Sequence, residues 1–539
     1  VNYPYMARPK AGSTEKGNDK NTIVSTTTSD HFSGIQFGND PNRPATRFFG
    51  SVSLSDNAID ISTLAEGKAL RVGISLPELL LFVVLTALLA GLCRLLRGLD
   101  DQKKTNRLIA GAAVLEFALA LWWVFSQQIY PANDQETVWK MAEALASGDF
   151  SAYASDSYGW TYFQTCPYQG AMALFMEPFI RMFGNGALRA WSLFGAISAP
   201  ACLLALCCIV REFGAKPRTQ LLCAVLCLLF VPIPMYASFV YGTLPAPAMV
   251  LWGGYGLLRF IKGGKPSWLA LPFVLFPLAV LAYQSALIFI IAVCIVAAFS
   301  GFGRSGKQLL RGLVLATLLL AVPVAVENIG QSVFFSRVPI PYSTGMPAST
   351  TVLMGIHSGT YYGPGGFDGS SWNLFWDNNA DTNAANAAAV KGIGEYWNTY
   401  LHNPKEVKFF LQKTAWQWLD PWFEALTMNG PSITVAGGAG WLATALGGGV
   451  LFAPVQAVLR ALLTFVYLFA GCGTLALRRK TGGAVWAQLL GIAFFGGFLF
   501  QLVWETKSRY CFPFFVFLLP LAAVGFITAL RWAGDKSAK

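Results

Sequence analysis

An all-α, polytopic membrane protein is the fold class this sequence predicts, and three observations carry it. Apolar runs of about 18 or more residues recur along the chain, each long enough to cross a bilayer as a helix. Hydrophobic residues fill 54% of the 539 positions and charged residues only 12%, about half the usual share of a soluble protein. Most Lys and Arg sit in short clusters at the ends of apolar runs, where the positive-inside rule puts them. The net charge of +11 is therefore a topology signal, and no nucleic-acid partner is expected.

Residues 1–42 are polar and rich in Ser, Thr, Asn and Gly, which predicts disorder. The chain opens on Val1 without a visible signal peptide, as a fragment or a processed form would. From Arg47 to Ile74 the spacing of Phe49, Val52, Leu54, Ile59, Ile61, Leu64, Leu70 and Val72 predicts short strands, a small β-like module. Eleven spans follow, at Ile74–Leu96, Leu108–Tyr130, Leu188–Val210, Gln220–Tyr236, Thr243–Ile261, Trp268–Ala282, Gln284–Phe299, Leu309–Val326, Pro454–Leu477, Ala484–Val503 and Cys511–Leu530. Residues 268–300 offer about 50 Å of helix for two of these, so both are expected to be short and tilted, with a turn at Tyr283-Gln284-Ser285.

With the spans alternating in this order, six basic clusters fall on one side: those at residues 94–107, 211–218, 259–265, 304–311, 478–480 and 531–539. Four parts result. Residues 1–73 form an extracytoplasmic tail. Residues 74–326 form an N-terminal membrane module whose first long loop is 131–186. Residues 327–453 form a second extracytoplasmic segment, and 454–539 a C-terminal membrane module. In the second segment, Lys405–Leu426 reads as an amphipathic helix whose Trp416, Trp418 and Trp422 suit a membrane interface. The ten cysteines lie mainly in apolar runs, where Cys acts as a small hydrophobe, and no His/Cys spacing supports zinc.

Chemistry-bearing residues gather where spans end. Asp134 and Glu136 follow the second span directly. A carboxylate there suits a general base, and equally a helix cap for residues 135–146. Glu505, Lys507, Arg509 and Tyr510 lie at the start of the last span. Arg pairs in a bidentate way with phosphate at headgroup depth, while the plainer reading is an interfacial anchor with a Glu505–Arg509 pair at i,i+4. Arg189 and Lys413 are substrate-binding candidates of the same kind. His357 is a substrate contact or a surface-loop histidine, and Glu116 is a costly acid inside the second span. Asp134, Glu136, Asp149 and Asp156 offer the oxygen ligands that Mg²⁺ or Mn²⁺ prefers, at a spacing that singles out no site. The glycines at 363–366 lack the helix start a nucleotide phosphate needs and read as a turn.

This order of parts resembles the GT-C superfamily of integral-membrane glycosyltransferases, such as the protein O-mannosyltransferases and bacterial aminoarabinose transferases. The matching pieces run from Asn133-Asp134-Gln135-Glu136 through Cys166-Pro167-Tyr168 and Phe183-Gly184 to Ala187-Leu188-Arg189. Trp504-Glu505-Thr506-Lys507-Ser508-Arg509-Tyr510-Cys511-Phe512-Pro513 looks like the family's late element. Met346-Pro347 through Met354-Gly355 is similar to Gram-positive members of unassigned substrate. The likeness covers roughly residues 108–530. It departs from the O-mannosyltransferases in Asp-Gln-Glu for an adjacent Asp-Glu and in lacking their His-Pro-Pro. The resemblance implies a GT-C-like bundle with extracytoplasmic juxtamembrane helices, at the cell-envelope face of the cytoplasmic membrane. It implies a polyprenyl-phosphate sugar donor, a protein, glycolipid or polymer acceptor, and one inverting displacement with Asp134 as base and Arg509 on the leaving phosphate. The rival readings are a transporter or flippase of lipid-linked glycans, which would show internal repeats and mid-membrane polar residues, and an inactive scaffold of the same fold.

Overall fold

The computed structural model describes residues 76–537, apart from 100, 128, 156, 301–304, 357–362, 403–404, 427–444 and 447–448. The expected disordered tail and β-like module, and His357, lie outside the described residues. Among these the chain is helical, with no strand. Seven helical stretches are long and apolar enough to cross a membrane: Leu76–Gly98, Gln102–Phe125, Tyr168–Glu212, Gly306–Arg337, Phe452–Lys480, Val485–Val503 and Phe512–Ala533. Pro217–Leu229 and Pro232–Ser238, bent by 53°, make an eighth if taken as one span.

In chain order the helices around the first loop are α1 (Leu76–Leu95), α2 (Gln102–Phe125), α3 (Asp134–Ser147), α4 (Tyr158–Thr165), α5 (Tyr168–Phe183) and α6 (Ala187–Glu212). Next come α7 (Pro217–Leu229), α8 (Pro232–Met235), α9 (Pro245–Ile261), α10 (Ala270–Ala282), α11 (Ala286–Phe299) and α12 (Gly306–Arg337). The count of eleven spans is thus reduced: α9, α10 and α11 are shorter than a full crossing. α10 and α11 reverse at residues 283–285. Gln284 bonds Glu327 on α12 at 2.8 Å, while Gly312 near the start of α12 lies against Ala297 and Ala298 of α11.

The basic clusters meet at one end of the bundle. There Glu212 pairs with Arg259 at 3.1 Å and Lys262 at 3.0 Å, and Lys480 donates to Gly214 O at 2.6 Å. At the other end, α3, α4 and α5 form a second small core. α3 buries Val138, Met141, Ala142 and Leu145, one stripe at helical spacing, with Phe163, Met172, Met176, Trp191 and Phe334 in the same cluster.

The next segment supplies α13 (Ala348–Ile356), α14 (Ser370–Asp377), α15 (Thr382–His402) and α16 (Lys405–Trp418). The bundle closes with α17 (Phe452–Lys480), α18 (Leu489–Val503), α19 (Phe512–Val516) and α20 (Leu518–Ser537). α16 is shorter than the predicted Lys405–Leu426, because Pro421 cannot continue it. Two of its expected interfacial tryptophans are core residues instead: Trp418 packs on Phe494 and Phe498, and Trp422 stacks on Phe452.

α17 and α20 approach so closely that a side chain on Gly473 would fall on Leu521 O, and one on Gly525 on Phe469 O. Small residues let membrane helices meet backbone to backbone. Gly525→Val is therefore expected to destabilise the fold by about 1–3 kcal/mol or more. Gly471→Ala, with open space around it, serves as the control, and thermal unfolding in detergent checks both. Equal midpoints would mean that α17 and α20 can separate without loss.

Candidate functional site

Three connections meet at the end of the bundle away from the basic clusters: residues 129–133 before α3, 239–244 before α9, and 504–511 between α18 and α19. Asp134 is the first residue of α3, and the capping position belongs to Asn133, whose φ of 55° few side chains adopt. A carboxylate in a first helical turn is favoured by the N–H groups there. Tertiary contacts fix both ends of α3. Gln135 Oε1 accepts from Val240 N at 2.9 Å. Leu145 O accepts from Arg181 at 3.0 Å and Arg337 at 3.3 Å. Both arginines also pair with Glu177, at 2.7 and 2.6 Å.

Facing this helix start is the turn carrying the cations. Lys507 Nζ lies 2.7 Å from Glu505 Oε1 and 5.8 Å from the Phe367 ring centre, and Arg509 sits 5.2 Å over the Tyr510 ring. Tyr510 also donates to Glu505 at 3.4 Å. Asp134 is within electrostatic reach of both cations. Burial pulls each of them down, but Glu505, Tyr510 and Asp134 more than offset it at Lys507, and Tyr510, Glu424 and Asp134 do so at Arg509. Both stay above their ordinary range and charged. The Asp134 charge also reaches Tyr162, Cys166 and Tyr241. Burial, reinforced by that charge, raises both phenols and pushes the Cys166 thiol up to about 12. These groups remain protonated hydrogen-bond donors beside the carboxylate.

Two acids that the sequence did not single out hold the cationic turn. Ser508 N donates to Glu424 Oε1 at 2.8 Å, and Ser508 Oγ to Asp420 Oδ2 at 2.6 Å. Asp420 also accepts from Trp422 N at 2.9 Å and Glu424 N at 2.8 Å. This folds a turn in which Phe423 (φ 47°) and Glu424 (φ 60°) both take left-handed backbone. Such conformations cost of order 1–3 kcal/mol each and persist only where the surroundings impose them. Burial raises the Glu424 carboxyl, opposed by Arg509 and Lys507. Beneath the turn Lys413 is fully buried. It donates to Gly355 O and, at 2.5 Å, to Trp504 O.

The structure thus brings Asp134, Glu505, Lys507, Arg509 and Tyr510 together, with Lys413 as a clip behind them. It does not bring in Glu136, which pairs with the exposed Lys140 at 2.6 Å. Nor does it bring in Arg189, which donates to Val124 O at the end of α2 and covers the Phe125 ring at 5.1 Å. The expected Glu505–Arg509 pair at i,i+4 is replaced by Glu505–Lys507, because residues 505–507 are not helical. Glu116 is buried at mid-span in α2 with neither oxygen hydrogen-bonded. Among the described residues no three His, Cys, Asp or Glu side chains converge as a metal site. Asp156, one of the four acids expected to attract Mg²⁺ or Mn²⁺, lies outside the described residues, and the positive charge near Asp134 comes from Lys507 and Arg509. Pro421 was the available signal that a turn, and so Asp420, would leave the helix axis. No local pattern marks Tyr241 or Tyr162.

A narrow apolar slot of about 20 Å³ opens beside the cluster, lined by Val250, Tyr283, Phe289, Pro513, Phe514 and Phe517 among others. Tyr283 connects the two, since Tyr510 and Arg509 are in its electrostatic surroundings.

No protein-family model matches the chain, and no curated protein matches it. Two solved structures of the Archaeoglobus fulgidus oligosaccharyltransferase are similar to it. One is AglB in complex with an inhibitory peptide and a dolichol-phosphate (TM-score 0.39), and the other is the apo form (TM-score 0.40). Each is 12% identical, with the match covering 80% of this chain and 52% of the other. The chain spans about half the length of these proteins.

Lys413 yields a pH test. Burial lowers its pKa to about 7, against 10.5 for a free lysine, with Glu505 opposing. Between these values the unfolded chain binds more protons, so this contribution to stability rises with pH and is lost as pH falls through about 7. Lys413→Met leaves two carbonyls without their donor and is expected to melt lower than the wild type. The gap in Tm should widen from pH 6 to pH 10; a constant gap would mean that the amine titrates like an exposed lysine.

Proposed function

We propose that the chain is a membrane glycosyltransferase that moves a sugar from a polyprenyl-phosphate donor to a hydroxyl-bearing acceptor at the extracytoplasmic face of the cytoplasmic membrane. One observation carries the reading most: Asp134 stands within electrostatic reach of Lys507 and Arg509, beside an apolar slot at the end of a helical bundle. In this reading the prenyl chain lies along the apolar side chains around the slot and its phosphate meets the two cations. The acceptor oxygen attacks the anomeric carbon, and its proton passes to Asp134. The bond from that carbon to the phosphate oxygen breaks, and the electron pair leaves with the phosphate. Lys507 and Arg509 stabilise the charge that develops there, and fixed donors aimed at a leaving group supply the largest single term in such reactions. Glu505, Glu424 and Tyr510 keep the cations oriented before substrate arrives.

The test uses purified protein in lipid nanodiscs with a radiolabelled prenyl-phosphate sugar. Asp134→Asn is expected to lower turnover about 10²–10⁴-fold with donor binding retained. Glu136→Gln, on its surface pair with Lys140, should stay within about twofold of wild type, since exposed positions tolerate exchange. Unchanged turnover in Asp134→Asn would remove Asp134 from the mechanism. Arg509→Ala should weaken donor binding about tenfold or more, the worth of a hydrogen bond to a charged group. Donor that crosses the bilayer while no glycosidic product forms would replace transfer by transport.

A further inference from the structure

Beside the first-loop helices lies a second cleft, of about 360 Å³, that the proposed chemistry does not use. Gln164, Tyr342, Ser343, Thr344, Asp381 and Asn383 are among its lining residues. It is built rather than incidental. Ser343 Oγ donates to Gln164 O at 2.7 Å, Met346 N to Thr165 O at 2.9 Å, and Thr382 Oγ1 to Gly345 O at 2.7 Å. Asp381 Oδ1 accepts from Asn383 N at 2.8 Å and Ala384 N at 3.0 Å, which fixes its carboxylate at the head of α15. The backbone is therefore committed, while several side chains are not. Among the described residues, the Gln164 and Asn383 amides have no hydrogen-bond partner, and Tyr342 is 65% exposed, its ring meeting Phe335 at 5.3 Å in a T-shaped contact.

The lining chemistry narrows the ligand. No Lys or Arg lines the cleft, so it does not suit a phosphate. No cluster of aliphatic side chains lines it, so it does not suit a lipid tail. What it offers is an exposed aromatic ring with two amides and a carboxylate around it. The polarised C–H face of a pyranose stacks on such a ring, while its hydroxyl groups both donate to carboxylate oxygens and exchange hydrogen bonds with amides. The cleft adjoins the site along the chain: Gln164 is followed by Thr165 and Cys166, and Tyr162 and Cys166 are among the groups that feel the Asp134 charge.

We infer that this cleft between the end of α4, residues 342–344 and the start of α15 is a saccharide-binding subsite that holds a glycan acceptor with its end directed toward Asp134. This rests on the reading of the chain as a sugar transferase, which leaves the class of acceptor open.

The experiment separates the two. Saturation-transfer NMR is run on the full chain in nanodiscs with maltotriose, mannotriose and chitotriose as probes, and with a Ser/Thr hexapeptide. At least one trisaccharide should bind. Tyr342→Ala and Asn383→Ala should each weaken that binding about tenfold, the worth of one well-placed contact. Both must keep the wild-type Tm, as expected for side chains open to the cleft, and Glu136→Gln, on its surface pair with Lys140, should bind the same probe unchanged. Binding that depends on Tyr342 stands even if no transfer is found, in which case only the transferase reading fails. No binding by any trisaccharide overturns the inference, as does binding indifferent to both substitutions. Tyr342-dependent binding of the peptide alone also overturns it, in favour of a peptide acceptor.

Discussion

The run from Trp504 to Ser508 leaves the helix at the end of a membrane bundle, and its backbone polar groups must be satisfied there by protein. Irregular backbone buried among protein survives only when its N–H and C=O groups have partners. Lys413 supplies a donor to Trp504 O, Gly365 O accepts from Thr506 N at 2.8 Å, and Glu424 accepts from Ser508 N. Gly365, at φ 72°, can come this close because it has no side chain: a Cβ would collide with Gly355 O and lie 2.8 Å from Lys413 Nζ. Two distant stretches of chain, around Gly365 and from Lys413 to Glu424, thus converge to hold residues 504–507 in a non-helical path. Two of the site's charges, Glu505 and Lys507, stand on that path, and Arg509 follows just after it.

Pairing is what lets those charges stay half-buried. An ion taken out of water is costly unless a partner is fixed beside it, and removing one partner leaves the other worse off. Lys507 answers Glu505, while Arg509 feels the charges of both Glu424 and Asp134. The arrangement keeps both cations charged and oriented without a bound ligand, which is the sense in which a site is preorganised. On the other side, the position of Asp134 follows from α3, clamped at one end by Val240 and at the other by the Arg181–Glu177–Arg337 group. Neither clamp is near Asp134 in sequence terms alone, since residues 240 and 337 come from other helices' ends.

The departures from sequence expectation have a common physical origin. Tryptophans spaced along an amphipathic pattern suit an interface or a core equally well, and Trp418 and Trp422 become core only because α17 and α18 offer Phe452, Phe494 and Phe498. Hydropathy counts apolar residues but not where a helix ends, so α9, α10 and α11 were legible as apolar yet not as shorter than a full crossing. Glu136 differs from Asp134 by two positions. Two residues on a helix is more than half a turn, which sends it to a surface pair with Lys140 rather than toward the cations.

By itself the sequence determined the class of the molecule and the stretches from which a candidate site could be built. Long apolar runs and terminal basic clusters admit little except a helical membrane bundle, and acids or arginines at the ends of spans are costly enough to stand out. Asp134, Glu505, Lys507, Arg509 and Tyr510 were legible for that reason. Only the tertiary structure decided that residues 134 and 509 share one site, that Asp420 and Glu424 support it, and that Glu136 and Arg189 do not. Such decisions depend on which faces of separate helices meet. Periodicity specifies a face but never its partner.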